Sequence, residues 1–243
     1  MEISTTRINL ISGPRNMSTA FMYSWASRFD TQVVDEPWFG YYLAKTGITY
    51  HPGTDQVLKS MPRTWDAVLE QSIFCPIEVP VYFIKGMAHH LIHDDLRCLL
   101  ELKNLFLIRD PAKLIASFAK VIGEPSMADI GLRREWELYS WLCTEGRSPT
   151  VIDSDTIRKD PPAALRKICS LMEIPFSEEM LKWEVGPKPY DGVWAKYWYH
   201  SAWKSSGYAP YIERDIDVHK SHRNLYEEAL PYYRLLKQQA VQL

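Results

Sequence analysis

Near the start of the chain an apolar run, Ile8 to Ile11, meets Ser12-Gly13-Pro14-Arg15-Asn16-Met17-Ser18-Thr19-Ala20, and this stretch restricts the fold more than any other. The run is of strand type, Gly-Pro breaks it, and a helical pattern opens at Ser18 with Phe21, Met22 and Trp25 on one apolar face. A strand, a tight loop and a helix bring free backbone N–H groups and the positive end of a helix dipole to one point, which suits an anion. Arg15 adds a guanidinium fork, and Ser18 and Thr19 add hydroxyl donors. The stretch therefore predicts a phosphate or sulfate cradle. A plain turn with Pro near the helix start is the alternative, but it would leave Arg15 as a needless charge beside an apolar strand.

The loop is not of the nucleotide-triphosphate type. That pattern, G-x-x-x-x-G-K-[ST], needs a second glycine, a lysine for the terminal phosphates and a hydroxyl for magnesium. Counted from Gly13, those positions hold Ser18, Thr19 and Ala20.

Along the rest of the chain, strand and helix patterns alternate, as in an α/β protein with a mainly parallel sheet. A helix over 18–29 is followed by a short strand, Thr31–Asp35, that ends at Asp35-Glu36-Pro37. Ligands in such sheets sit beyond the carboxyl ends of strands, so Asp35 and Glu36 face the rim that holds Arg15. Asp35 reads equally as an N-cap for a helix over Trp38–Leu43, which leaves Glu36 for chemistry. Residues 44–64 read as a loop over that face, and Thr64–Phe74 as an amphipathic helix. A strand over Val79–Lys85 leads to Lys85, His89 and His90, and Leu91–Leu102 reads as helix. Asn104–Ile108 is the clearest buried strand. It runs into Arg109-Asp110-Pro111 and a helix carrying Ser117, which suits a second anion site. Arg109 could instead pair only with Asp110 or with a helix C-terminus. A helix lies within 124–147, a further strand at Thr150–Asp153, and helices over Ala163–Met172 and Asn224–Gln242.

Composition narrows the function classes. A chain of 243 residues suits one domain: a core over 5–180, then an aromatic-rich closing segment and helix over 185–243. With 28 basic and 30 acidic residues, the net charge of −2 gives no support to nonspecific nucleic-acid binding. No apolar stretch reaches membrane-spanning length, and Glu2 and Arg7 interrupt any leader-like start. Cys75, Cys98, Cys143 and Cys169 are scattered and read as reduced thiols of a cytoplasmic protein, with no metal site expected.

The run Gly-Pro-Arg-Asn-Met-Ser-Thr resembles the loop that grips the 5′-phosphosulfate of PAPS (3′-phosphoadenosine 5′-phosphosulfate) in PAPS-dependent sulfotransferases, P-[RK]-[SN]-x-[ST]-T. Arg109-Asp110-Pro111 with Ser117 resembles their R-[DN]-P-x-x-x-x-x-S, which holds the donor's 3′-phosphate. The resemblance reaches from the first motif to about residue 155. It implies a three-layer, P-loop-NTPase-like sulfotransferase fold with PAPS as co-substrate and no metal. It implies that Gly13, Arg15, Asn16, Met17, Ser18 and Thr19 hold the 5′ end, and Arg109 and Ser117 the 3′-phosphate. Lys204, Ser206 and Gly207 stand where the family's closing segment covers the nucleotide, although the usual R-K-G-x-x-G is missing. Glu36 resembles the catalytic glutamate of the tyrosylprotein members. Lys85 stands where other members carry a lysine before a catalytic histidine, with His89 or His90 slightly out of register. Arg15 would stabilise the leaving phosphate and Lys85 the transferring sulfuryl group.

The expected acceptor is a small apolar or aromatic molecule, suggested by Trp38, Phe39, Tyr41, Tyr42 and the aromatic-rich stretch near residues 190–211. A homodimer stays open. Two other classes remain: a P-loop-fold phosphotransferase such as a nucleotide kinase, which the loop's missing lysine and magnesium ligands disfavour, and a noncatalytic nucleotide-binding module.

Overall fold

Each strand of the sheet is apolar on both sides, so alternate residues feed two separate cores. Ile8 and Leu10, Phe83, Leu105 and Leu107, and Ile152 face one way. Ile11, Tyr82 and Ile84, Phe106 and Ile108, and Val151 face the other. The computed structural model describes residues 4–121, 123–213 and 216–243; residues 1–3, 122 and 214–215 of the expected 1–243 domain lie outside the described residues.

The strands are β1 (Thr6–Ser12), β2 (Thr31–Asp35), β3 (Val81–Met87), β4 (Lys103–Ile108) and β5 (Thr150–Asp153). They form one sheet in the order β2-β3-β1-β4-β5, with every neighbouring pair parallel. The helices are α1 (Ser18–Ala26), α2 (Phe39–Thr46), α3 (Thr54–Ser60), α4 (Trp65–Val68), α5 (Pro111–Phe118), α6 (Met127–Ile130), α7 (Leu132–Thr144), α8 (Ser154–Lys159), α9 (Pro161–Leu171), α10 (Ala195–Trp198), α11 (His200–Trp203) and α12 (Arg223–Gln238). Helices α1, α8 and α9 cover one face of the sheet, where Trp25 stacks on Phe83 with 4.8 Å between ring centres. Helices α4, α7 and α12 cover the other. The result is the expected α/β three-layer fold.

Three stretches differ from the sequence pattern. Within 44–64, α2 continues to Thr46 and α3 follows, each bounded by a glycine in the left-handed region, Gly47 and Gly53. Leu91–Leu102 is not a helix apart from a 3-10 turn at Arg97–Glu101, because Asp95 Oδ1 accepts from Arg97 N at 3.0 Å and offers the backbone a local alternative. Gly131, at φ 75°, splits 124–147 into α6 and α7. Helix α12 is part of the fold: Leu236 is buried against the sheet, and Tyr233 donates to Asp153 Oδ2 at 2.7 Å. Among the described residues the four cysteines are free, and no helix is long and apolar enough to cross a membrane.

Candidate active site

β1 lies between β3 and β4, so the loop after β1 is flanked by the ends of both, at the point where the chain order reverses. A cavity of about 570 Å³ opens at that rim. Arg15, Ser18, Thr19, Glu36, Lys85, His89, Arg109 and Ser117 all line it.

The β1–α1 loop gathers donors of the kind an anion can accept from. Arg15 (φ 60°) and Met17 (φ 70°) both take left-handed backbone, which costs a non-glycine residue on the order of 1–2 kcal/mol each. Between them Asn16 is buried and donates from Nδ2 to Leu107 O at 2.8 Å, which pins the turn. Gly13 fits because its α-carbon lies against α6, where a β-carbon would stand 2.5 Å from Ile130 O. Helix α1 has no side-chain cap and no acidic residue in its first turn, so its leading N–H groups are left to the cavity. Arg15 Nε donates to Ser117 Oγ at 3.2 Å and Nη1 to Trp198 O at 3.0 Å, while Arg109 donates to the Arg15 carbonyl. Asp110 caps α5, accepting from Ala112 N at 2.8 Å. Burial works against the charge of both arginines and lowers their pKa. Lys120 and Arg158 add further cationic lining on this side.

The opposite wall is a buried ion cluster. Asp35 is paired with Lys85 in the β2–β3 register, and Glu36, at φ 45°, turns its N–H to Lys85 O at 2.7 Å. Lys85 Nζ donates to Asp35 Oδ1 at 2.8 Å, to Tyr199 Oη at 2.7 Å and to Glu36 Oε1, so all three ammonium protons have partners. Tyr199 Oη sits 2.8 Å from Asp35 Oδ2 and accepts from Trp194 Nε1 at 3.1 Å. The Gly192 N–H donates to Asp35 Oδ2 at 3.1 Å. Burial is the largest influence on Lys85 and opposes its charge, but Asp35 and Glu36 outweigh it and raise the ammonium pKa. Burial raises the Asp35 carboxyl, against the pull of Lys85. It also holds the Tyr199 phenol far above its ordinary range. Asp35 is thus an ion-pair partner and not the cap of α2, whose cap position Trp38 occupies. The Glu36 side chain is 9% exposed and lines the cavity.

Past Glu36 the lining turns to rings. Phe39 lies parallel to His90 at 4.7 Å, with Trp194 edge-on to it at 5.2 Å. His51, His89 and His90 line this part of the cavity. Burial pushes His89 down to about 3 and His90 well below the usual imidazole range, so both are neutral and weak as bases.

Of the other expected site residues, Met17 and Gly207 line the cavity. Lys204 and Ser206 are exposed and do not, because this stretch pairs antiparallel with Lys182 through Gly207 and turns both outward. Gly13 and Asn16 support the loop from beneath. Tyr199 and His51 went unmarked in the sequence. Tyr199 falls in the aromatic-rich stretch, where no spacing distinguishes it from its neighbours, and His51 sits in a polar loop.

A family model described as a sulfotransferase domain matches residues 6–240. The chain is 37% identical over 231 residues to "Branched-chain-amino-acid aminotransferase-like protein 2" of Arabidopsis thaliana, covering 95% of this chain and 41% of that protein. It is 38% identical over 227 residues to "Branched-chain-amino-acid aminotransferase-like protein 1" of the same plant, covering 93% and 40%. The chain thus spans about two fifths of the length of the curated relatives it matches. Among solved structures, a sulfotransferase from Alicyclobacillus acidocaldarius superposes with a TM-score of 0.56 at 10% identity, covering 98% of both chains. The sulfotransferase domain of the Synechococcus PCC 7002 olefin synthase gives 0.53 at 15% identity, covering 94% of this chain and 95% of that one. Identities this low speak for the fold alone.

Proposed function

The chain belongs to the sulfotransferase domain family, and from that premise we propose that it moves a sulfuryl group from PAPS to a hydroxyl or amine of a small acceptor, with Glu36 as general base. The observation that carries this reading is that the α1 loop, Arg15, Arg109 and Ser117 open onto the same cavity as Glu36. The fit to a polyanionic donor rests on charge: Glu36 is the one carboxylate among the described lining residues, against Arg15, Lys85, Arg109, Lys113, Lys120 and Arg158. The uncapped N–H groups of α1 supply further donors.

In this mechanism Arg15 and the α1 N–H groups face the 5′-phosphosulfate, and Arg109 and Ser117 the 3′-phosphate. The donor supplies a sulfur atom whose bond to the bridging phosphate oxygen breaks, with the electron pair leaving on that oxygen. Arg15 stabilises the charge that grows there. The acceptor's attacking atom forms the new bond to sulfur and releases its proton to the Glu36 carboxylate. Lys85 holds that carboxylate in place through their ion pair. Residues around Phe39 and Trp194 exclude water from the reacting end.

Replacing Glu36 by Gln tests the assignment. Turnover should fall by about 10²-fold or more, while adenosine 3′,5′-bisphosphate binds with unchanged affinity in titration calorimetry. Undiminished turnover would remove Glu36 as the base. Wild-type protein that ignores this nucleotide would remove the donor.

A further inference from the structure

We infer that Tyr199 is a positioning residue for the transfer: it sets the Lys85 ammonium so that Glu36 is held by Oε1 and takes the acceptor's proton on Oε2. The inference rests on the sulfuryl-transfer reading above and adds a residue which that reading does not use.

The first ground is that the hydrogen bonds around Tyr199 leave it no freedom of direction. The phenol keeps its proton, because burial holds it far above its ordinary range. Lys85 Nζ at 2.7 Å and Trp194 Nε1 at 3.1 Å can only donate, so they occupy both lone pairs of Tyr199 Oη. Its one proton must then go to a carboxylate, and Asp35 Oδ2 at 2.8 Å is nearer than Glu36 Oε1 at 3.2 Å. Asp35 is fixed in turn, since it ends β2 and also accepts from the Gly192 N–H at 3.1 Å. The Lys85 ammonium has three protons. Asp35 Oδ1 takes one and Tyr199 Oη a second, so the third is aimed at Glu36 Oε1. Oε2 is left as the Glu36 oxygen without a partner among the described residues, on a side chain that lines the cavity. A base held by one oxygen and open at the other is ready to take a proton from an acceptor.

The second ground is the place of Tyr199 in the chain. It follows directly on Trp198, whose carbonyl accepts from Arg15 Nη1 at 3.0 Å. The Trp198 ring stacks on Phe118 at 5.7 Å, and Phe118 adjoins Ser117, which accepts from Arg15 Nε at 3.2 Å. Two consecutive residues therefore hold the base on one wall and the arginine that faces the donor on the other. Transfer in line across the sulfur depends on a fixed spacing between those two groups.

The test compares wild type, Tyr199→Phe, Glu36→Gln and the double variant, each checked by titration calorimetry for wild-type affinity toward adenosine 3′,5′-bisphosphate. Turnover is read as release of labelled sulfate from PAPS to water and as transfer to 4-methylphenol. Tyr199→Phe should lower kcat about tenfold or more with KM for PAPS unchanged. In the Glu36→Gln background the same replacement should cost less than about twofold, because no base is left to position. A merely structural role would cost the same factor in both backgrounds, and that result overturns the inference, as does an unchanged kcat in Tyr199→Phe. Should Tyr199→Phe not fold, Trp194→Phe carries the same test, since it removes a donor that fixes the phenol's direction; its loss should likewise vanish beside Glu36→Gln, and a loss equal in both backgrounds overturns the inference. Crystal structures with adenosine 3′,5′-bisphosphate add a readout that needs no turnover: in Tyr199→Phe the Glu36 carboxylate should leave Lys85, and an unmoved carboxylate overturns the inference. Wild-type protein that transfers to neither acceptor, or Glu36→Gln protein as active as wild type, would instead overturn the reading on which the inference rests.

Discussion

The two walls of the cavity are built on opposite principles. At the ends of β2 and β3, the side chains of Asp35, Glu36, Lys85 and Tyr199 satisfy one another before any ligand arrives. Beyond the ends of β1 and β4 the donors are left open: an uncapped helix start, two arginines short of anionic partners, and a loop held in left-handed backbone at Arg15 and Met17. A satisfied cluster adds its worth to the fold and fixes geometry. An open cradle withholds its worth until an anion binds. Substitutions at Asp35, Lys85 and Tyr199 of the first wall should therefore appear as lost stability, and those in the second wall as lost affinity.

The largest effect is expected at Lys85. Lys85→Met strands two carboxylates that are 1% and 9% exposed, and breaking a buried pair in this way costs about 3–5 kcal/mol. Urea unfolding at pH 7 should register that loss, and the deficit should shrink as the pH falls and Asp35, whose carboxyl burial already raises, takes up a proton. Unaltered stability would mean the cluster is not the charged unit described here. Next is Arg109→Ala, on the other wall. Adenosine 3′,5′-bisphosphate should bind about 10- to 100-fold more weakly, as expected for one charge-assisted contact, while unfolding stability changes by less than about 1 kcal/mol. A variant that instead unfolds easily and binds normally would invert the comparison. Tyr199→Phe sharpens it. Loss of the hydroxyl removes partners from Lys85 and Asp35 at once, so about 2 kcal/mol of stability should go, with nucleotide affinity kept.

The same contrast explains what could be read from the sequence. The open cradle is local: Gly13 to Thr19 is one continuous stretch, and Arg109 to Ser117 another, so backbone chemistry leaves a pattern in residue order. The strands were legible for the same reason, since Asn104–Ile108 is apolar at every position but its first. Glu36 could be found because Pro37 ends its strand at the rim. The satisfied wall is assembled across the chain. Tyr199 reaches Asp35 from 164 residues away, and nothing beside it in sequence announces a partner. Which residues of the segment around Lys204 face the cavity has no local signal, because the antiparallel bridge between Gly207 and Lys182 depends on tertiary pairing: Ser205 and Gly207 line the cavity, while Lys204 and Ser206 are exposed. His51 carries no local signal, because a histidine between Tyr50 and Pro52 in a polar loop looks solvated, whereas the rings of Phe39, Tyr42, Tyr50 and Trp198 pack around it.

One residue lies under the open wall and belongs to neither scheme. Glu135, on α7, is wholly buried, and neither carboxylate oxygen has a well-formed hydrogen bond among the described residues. Burial drives its carboxyl far above the ordinary range, with the Gly13 N–H pulling weakly the other way. The folded chain therefore keeps this proton at a pH where the unfolded chain has lost it. Stability from this group is complete below the carboxyl's ordinary value near 4.5 and declines as the pH rises above it, until the raised folded value is passed. Glu135→Gln cannot lose a proton, so its stability relative to the wild type should climb between pH 5 and pH 6 by on the order of 1 kcal/mol. Paired urea titrations at the two pH values read this directly. A constant difference would show that Glu135 is ionised in the folded chain, leaving a buried carboxylate beneath the Gly13 loop and an open wall less favourable to anions than its two arginines imply.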